Sequence, residues 1–288
     1  MSAEPLVHTG SAVVPAREAR VPVLDRGFLY GDSVYEVVRT ANGRPFMLGE
    51  HLDRMRRSAA MIYFEMPWSD EEISRRVLEL RTALPATECY FRIVATRGPG
   101  PISLYPDGAG EPGLYLIGTA LQLYPAHLYR DGCRVAVVHR LRNNPRALDP
   151  RAKTGNYLNN MLGLVEAKRQ GADDALFLNA EGHLTEATTA NVWIAERGRV
   201  FTPPVAEGLL QGITRGWLLG RLPERGIAVA EARIDLDRLL RADEVFLSGT
   251  VKGIMPVTLI DGRPVGSGKP GPVARRGMDL YEEALARN

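Results

Sequence analysis

Ala152-Lys153-Thr154-Gly155-Asn156-Tyr157-Leu158 follows an irregular basic run, Arg140 to Arg151, and leads into a helical pattern that begins near Tyr157. A lysine at such a junction can project into a cleft, and it becomes a nucleophile when its surroundings lower the cost of the neutral amine. Candidates for that chemistry are few. The chain has 36 basic residues, of which only Lys153, Lys168, Lys252 and Lys269 are lysines. Lys168 sits late on a helix, where a cation complements the C-terminal dipole. Lys269, in Gly266-Ser267-Gly268-Lys269-Pro270, superficially matches a phosphate loop, but Pro270 stands where that motif needs a hydroxyl. Lys252 follows Ser248-Gly249-Thr250-Val251, beside whatever that turn binds.

Working outward, 288 residues with 45% hydrophobic and 24% charged side chains suffice for one large or two ordinary folded domains. A net charge of +2 marks no global field for nucleic acid or membrane. Met1 to Pro22 has no apolar core of a signal peptide, and no apolar run approaches the roughly 20 residues of a membrane span. Cys89 and Cys133 show no metal-ligand spacing and read as core residues in a reducing compartment. A soluble cytoplasmic protein without a metal is the expectation.

Periodicity predicts strands at Ser33–Arg39 and Arg44–Leu48 around an Asn42-Gly43 turn, then a helix over Gly49–Met61 and another after the cap-like Ser69. Strands at Cys89–Thr96 and Leu114–Thr119 flank a Gly/Pro-rich loop, Gly98 to Gly113. Residues 121–131 read as a linker between an N-terminal α/β domain, 1–120, and a C-terminal α/β domain, 132–288, that carries Lys153. In the second domain strands are expected at Arg134–His139, Ala175–Asn179, His183–Glu196, Val200–Thr202, Glu244–Leu247 and Val257–Ile260. Helices are expected at Tyr157–Arg169, at Gly212–Arg225 shortened by Pro223, and at Gly277–Ala286.

The Lys153 segment resembles the Schiff-base lysine motif of class IV aminotransferases, the fold-type IV pyridoxal-phosphate enzymes. Further matches follow in that family's order: Tyr30-Gly31-Asp32-Ser33-Val34-Tyr35-Glu36, Glu50-His51-Leu52-Asp53-Arg54, Leu184 to Asn191, Leu210-Gln211-Gly212-Ile213-Thr214-Arg215, Phe246 to Thr250, and the Gly-Lys-Pro-Gly-Pro run at 268–272. The resemblance implies a two-domain α/β fold of the α+β type with the cofactor between the domains. It also implies a homodimer whose site borrows loop residues from the partner chain.

On this resemblance Lys153 is the covalent lysine and shuttles a proton between Cα and the cofactor's C4′. Glu186 holds the pyridine nitrogen protonated, and the helix start Gly212-Ile213-Thr214 offers N–H donors to the phosphate. Gly249, Thr250 and Arg54 add phosphate contacts, Leu210 packs on the ring, and Tyr157 lies near O3′. Tyr30, Arg39, Tyr90, Arg92 and Val251 match substrate-binding positions. Alternation places Tyr90 and Arg92 on one face, where an arginine can grip a distal carboxylate.

The implied reaction moves an amino group from an aliphatic, branched-chain-like amino acid to 2-oxoglutarate by ping-pong exchange. The Arg-x-His carboxylate trap of D-amino-acid aminotransferases is replaced by Ile102 and Leu104, whereas Gly27 to Asp32 looks closer to that branch. The alternatives are therefore a D-amino-acid or (R)-amine transaminase, and further off an aminodeoxychorismate lyase. Arg140, Arg142, Arg146 and Arg151 also form a basic strip of the kind that meets nucleic acid, although acids interleave them and no recognition motif accompanies them.

Overall fold

The computed structural model describes residues 4–288, so the first three residues of the Met1–Pro22 stretch lie outside it. The chain divides into two compact units. The first runs to Gln122 and also takes in Ala152–Asn156 and Asn288, and the second comprises Leu123–Arg151 and Tyr157–Arg287.

The first unit contains β1 (Leu6–His8), β2 (Val13–Pro15), α1 (Arg26–Tyr30), β3 (Ser33–Ala41), β4 (Arg44–Pro45), α2 (Leu48–Met61), α3 (Asp70–Ala83), β5 (Cys89–Thr96) and β6 (Gly113–Ala120). Six strands form one antiparallel sheet in the order β2-β1-β6-β5-β3-β4. Asn42 and Gly43, both at positive φ, make the tight turn from β3 to β4. The strand expected to run to Leu48 stops at Pro45, because Met47 turns left-handed (φ 54°) and starts α2. Ser69 caps α3 by accepting from the Glu72 N–H, a contribution of about 1 kcal/mol. Val34 and Val38 of β3 and Phe91 and Ile93 of β5 pack against Leu52, Met55, Ile73, Val77 and Leu80 of the two helices. Strand alternation turns Tyr35, Arg39, Tyr90 and Arg92 to the other face.

The second unit contains α4 (Ala126–Arg130), β7 (Cys133–Val137), α5 (Leu158–Arg169), β8 (Asp174–Leu178), β9 (Leu184–Ala187), β10 (Asn191–Glu196), β11 (Arg199–Thr202), α6 (Ile213–Glu224), β12 (Val229–Glu231), α7 (Leu236–Leu240), β13 (Glu244–Gly249), β14 (Gly253–Ile260), β15 (Arg263–Pro264) and α8 (Pro272–Ala286). Its sheet runs β12-β11-β10-β13-β14-β7-β8-β9, and β9 also pairs with β10. That extra pairing closes part of the sheet into a barrel-like ring around Val135, Leu176, Val192, Ile194, Leu247 and Met255. The single strand expected over His183–Glu196 is two, folded at Thr188–Ala190 so that Glu186 faces Asn191.

Two sequence-based boundaries need correction. The 121–131 linker contains α4, whose Leu128 is buried in the second unit's core. Lys153 belongs to the first unit rather than to the C-terminal domain. Tyr35 N–H donates to the Lys153 carbonyl and Gly155 N–H to that of Ser33, each at 3.0 Å, and Thr154 bridges Val34. The lysine segment thus lengthens the β3 edge of the first sheet.

Candidate active site

In the first unit the site is built on β3, β5 and the lysine strand. Lys153 is 8% exposed, and its N–H donates to Ser58 Oγ on α2 at 3.0 Å. Pairing opposite β3 sends its side chain to the Tyr35 face, where Nζ lies 3.3 Å from the Tyr35 hydroxyl and 4.4 Å from the ring centroid. The Arg92 guanidinium lies 3.7 Å from the same centroid, so one tyrosine ring joins the lysine to the arginine. Arg39 pairs with Tyr90 across the strands and donates Nε to the Thr40 carbonyl. Tyr30 ends α1 under the Arg26 guanidinium. Tyr35 was not among the expected site residues, although the alternation of β3 sets it on the same face as Arg39 and so offered a signal.

Beneath this face, Glu36 is fully buried and accepts bidentately from Arg54, with Nε and Nη2 each at 2.7 Å. His51 Nδ1 lies 2.7 Å from the same carboxylate. Burial pushes the Glu36 carboxyl up, but the Arg54 charge and hydrogen bonds, together with His51, outweigh it and lower the pKa to about 2. Burial also lowers the His51 pKa, against the pull of Glu36. Arg54 is therefore a fixed, buried cation.

In the second unit, Glu186 is 5% exposed. Its Oε1 accepts from Arg142 Nε at 2.8 Å and its Oε2 from the Leu210 N–H at 3.1 Å. Arg142 also donates to Asn159, so it is the counter-ion of Glu186 rather than part of a solvated strip. Arg151 pairs with Asp149, which disperses that strip further. Asn191 Nδ2 donates to the Leu210 carbonyl, and any Cβ on Gly212 would collide with the Asn191 side chain. Gly212 thus opens α6 in extended backbone, leaving the first-turn N–H groups of Ile213 and Thr214 pointing along the helix axis. Gly249, Thr250 and Val251 lead into the turn between β13 and β14, and the Thr250 carbonyl accepts from Tyr281 at 3.0 Å. Tyr157 stands at the N-cap position of α5, within the second unit.

The Lys269 run holds no anion site of its own. The N–H groups of Val273 and Ala274 at the start of α8 donate to the Glu244 carboxylate, so a protein acid fills that position.

The family model for amino-transferase class IV matches residues 33–260. The chain belongs to the class IV aminotransferases. The D-alanine aminotransferase of Bacillus licheniformis is 33% identical over 93% of each chain. The T.th. branched-chain amino acid aminotransferase with pyridoxamine 5'-phosphate superposes with a TM-score of 0.94 at 31% identity, covering 100% of this chain and 96% of that one. The branched-chain aminotransferase of the archaeon Thermoproteus uzoniensis with norvaline gives a TM-score of 0.90 at 33% identity, covering 98% of this chain and 95% of that one. The fold of this class IV aminotransferase is accordingly the mixed two-unit α/β fold described above. No helix among its described residues is long and apolar enough to cross a membrane.

Proposed function

We propose that this aminotransferase uses pyridoxal 5'-phosphate to move the amino group of an aliphatic, branched-chain-like amino acid to 2-oxoglutarate by ping-pong exchange. The observation that carries the reading is the Lys153–Tyr35–Arg92 stack, which puts a buried amine and a guanidinium on one sheet face. When bound, the cofactor supplies the electron sink that makes loss of the Cα proton feasible.

The residues present fit such a group. Lys153 would carry it covalently and move the proton between Cα and C4′. Glu186, fixed as an acceptor by Arg142 and the Leu210 N–H, suits a protonated pyridine nitrogen. Arg54, the N–H groups of Gly212, Ile213 and Thr214, and Gly249 with Thr250 suit the phosphate dianion. Leu210 offers an apolar surface to the ring, and Tyr157 a phenol for O3′. Arg92 and Arg39, with Tyr30, Tyr90 and Val251, would receive the substrate, the arginines taking the distal carboxylate of a dicarboxylate.

The second reading, a D-amino-acid or (R)-amine transaminase, is favoured by the likeness to the D-alanine enzyme. Against it, Ile102 and Leu104 are exposed apolar residues where that branch carries a cationic trap. A cytoplasmic homodimer accords with the two buried free thiols and with α5, where Leu158, Met161, Leu162 and Val165 form an exposed apolar stripe at helical spacing.

The test is a half-reaction panel, mixing the pyridoxal form with L-leucine, L-glutamate, D-alanine, D-glutamate and (R)-1-phenylethylamine. Fastest loss of the cofactor band with L-leucine and L-glutamate supports the proposal. Faster loss with the D-substrates or the amine replaces it by the second reading.

A further inference from the structure

Lys252 is a buried lysine that the proposed reaction does not use. It closes the turn Thr250–Lys252, directly after Gly249. The residue is 5% exposed, its Nζ donates to Asp174 Oδ2 at 2.9 Å, and the ammonium rests 4.3 Å from the centroid of the Tyr124 ring. Burial disfavours the cation, but the Asp174 charge outweighs it and raises the pKa, so Lys252 stays protonated and is no nucleophile.

The other carboxylate oxygen shows where the pair leads. Asp174 Oδ1 accepts from Thr188 Oγ1 at 2.5 Å and from the Thr188 N–H at 3.3 Å. Thr188 opens the turn that follows Glu186, and its carbonyl accepts from Asn160 Nδ2 at 2.8 Å. The next carbonyl, that of Thr189, would lie 3.1 Å from a Cβ on Gly249, so the two turns abut and glycine permits the approach. Tyr129 donates to the Lys252 carbonyl at 3.0 Å, which fixes the far end of the turn. Lys252, Asp174 and Thr188 therefore form one continuous tie from the Gly249–Lys252 turn to the turn after Glu186.

We propose that Lys252 and Asp174 are positioning residues that hold the Gly249-Thr250 donors and the Glu186 carboxylate at a fixed separation, so that one cofactor meets both. The proposal rests on the cofactor reading above. Both side chains are spent on the tie itself, Lys252 on Asp174 and Asp174 on Thr188. A salt bridge at this depth matters here because it is directional at both ends: the ammonium belongs to one turn, and the carboxylate anchors the other.

The test titrates apo-protein with pyridoxal 5'-phosphate by visible absorbance and follows thermal unfolding in parallel. Lys252→Met leaves Asp174 buried and unpaired, so it lowers stability whatever the pair's role. The double variant Lys252→Met/Asp174→Asn removes both charges, keeps an acceptor for Thr188 and separates the two effects. The proposal predicts that the double variant regains most of the lost stability yet binds the cofactor about tenfold more weakly than wild type. It also predicts that Lys252→Arg, which keeps the cation, binds within about threefold of wild type and retains its absorbance maximum. A double variant that binds the cofactor as tightly as wild type overturns the proposal and leaves the cofactor reading intact. A wild-type protein that takes up no cofactor overturns both.

Discussion

Each unit buries one lysine, and the two have different neighbours. Lys153 in the first unit sets Nζ against the hydroxyl and ring of Tyr35, on a strand bonded to the edge of β3. Lys252 in the second unit sets Nζ 2.9 Å from the Asp174 carboxylate. The Asp174 carboxylate stabilises the Lys252 ammonium and keeps its proton. Burial alone therefore does not identify a reactive lysine. The same contrast holds among the acids. Glu36 commits its carboxylate to Arg54 and His51 inside the first unit, while Glu186 is braced by Arg142 and a backbone N–H as an acceptor.

The sharpest way to break the contrast is to exchange the lysines' fates. Lys153→Ala should reduce transamination to background and abolish the lysine-linked cofactor band, measured by absorbance after reconstitution. Lys252→Met at saturating cofactor should keep that band. Next in size, Glu186→Gln should lower kcat by about 10² or more, since on the proposed function it removes the charge that would hold the ring nitrogen protonated. Steady-state kinetics with saturating cofactor would show this as a loss in kcat greater than any rise in KM.

A stability effect of Glu36→Gln follows, about 3 to 5 kcal/mol by denaturant unfolding at pH 7, because Arg54 loses its buried counter-ion. The sign of its pH dependence is set by the depressed carboxyl. Arg54 and His51 hold the Glu36 carboxyl down at about 2 in the folded chain, against 4.5 for the unperturbed side chain. Its contribution is thus complete above pH 4.5 and is lost as pH falls toward 2. The wild-type advantage over Glu36→Gln should narrow across that window. The smallest effect expected is from Tyr35→Phe, which keeps the ring between Lys153 and Arg92 but deletes the hydroxyl. A loss of about fivefold in kcat corresponds to one hydrogen bond of about 1 kcal/mol.

Much of this was legible in the residues. Cys89–Thr96 forms its strand to the residue because the run is dense in aromatic and β-branched side chains and holds neither glycine nor proline. Ser69 and the Asn42-Gly43 turn carry local signals that need no tertiary context. What stayed hidden was long-range pairing. Arg142 read as one cation in a strip because Glu186 lies 44 residues away, and Lys252 read as undecided because Asp174 lies 78 residues away. The fold at Thr188–Ala190 was missed because that turn contains neither glycine nor proline. It is fixed instead by the Thr188 hydroxyl donating to Asp174 and by Asn160 donating to the Thr188 carbonyl. Lys153 went to the wrong unit for a related reason: its backbone completes β3, more than a hundred residues earlier in the chain.

The central claim is that Lys153, and not the other buried lysine, carries the cofactor. Borohydride reduction of the protein loaded with pyridoxal 5'-phosphate, followed by proteolysis and mass spectrometry, tests it directly. The account predicts a phosphopyridoxyl group on the peptide that contains Lys153 and none on the peptide that contains Lys252. The label on Lys252, or no stoichiometric label at all, would contradict it.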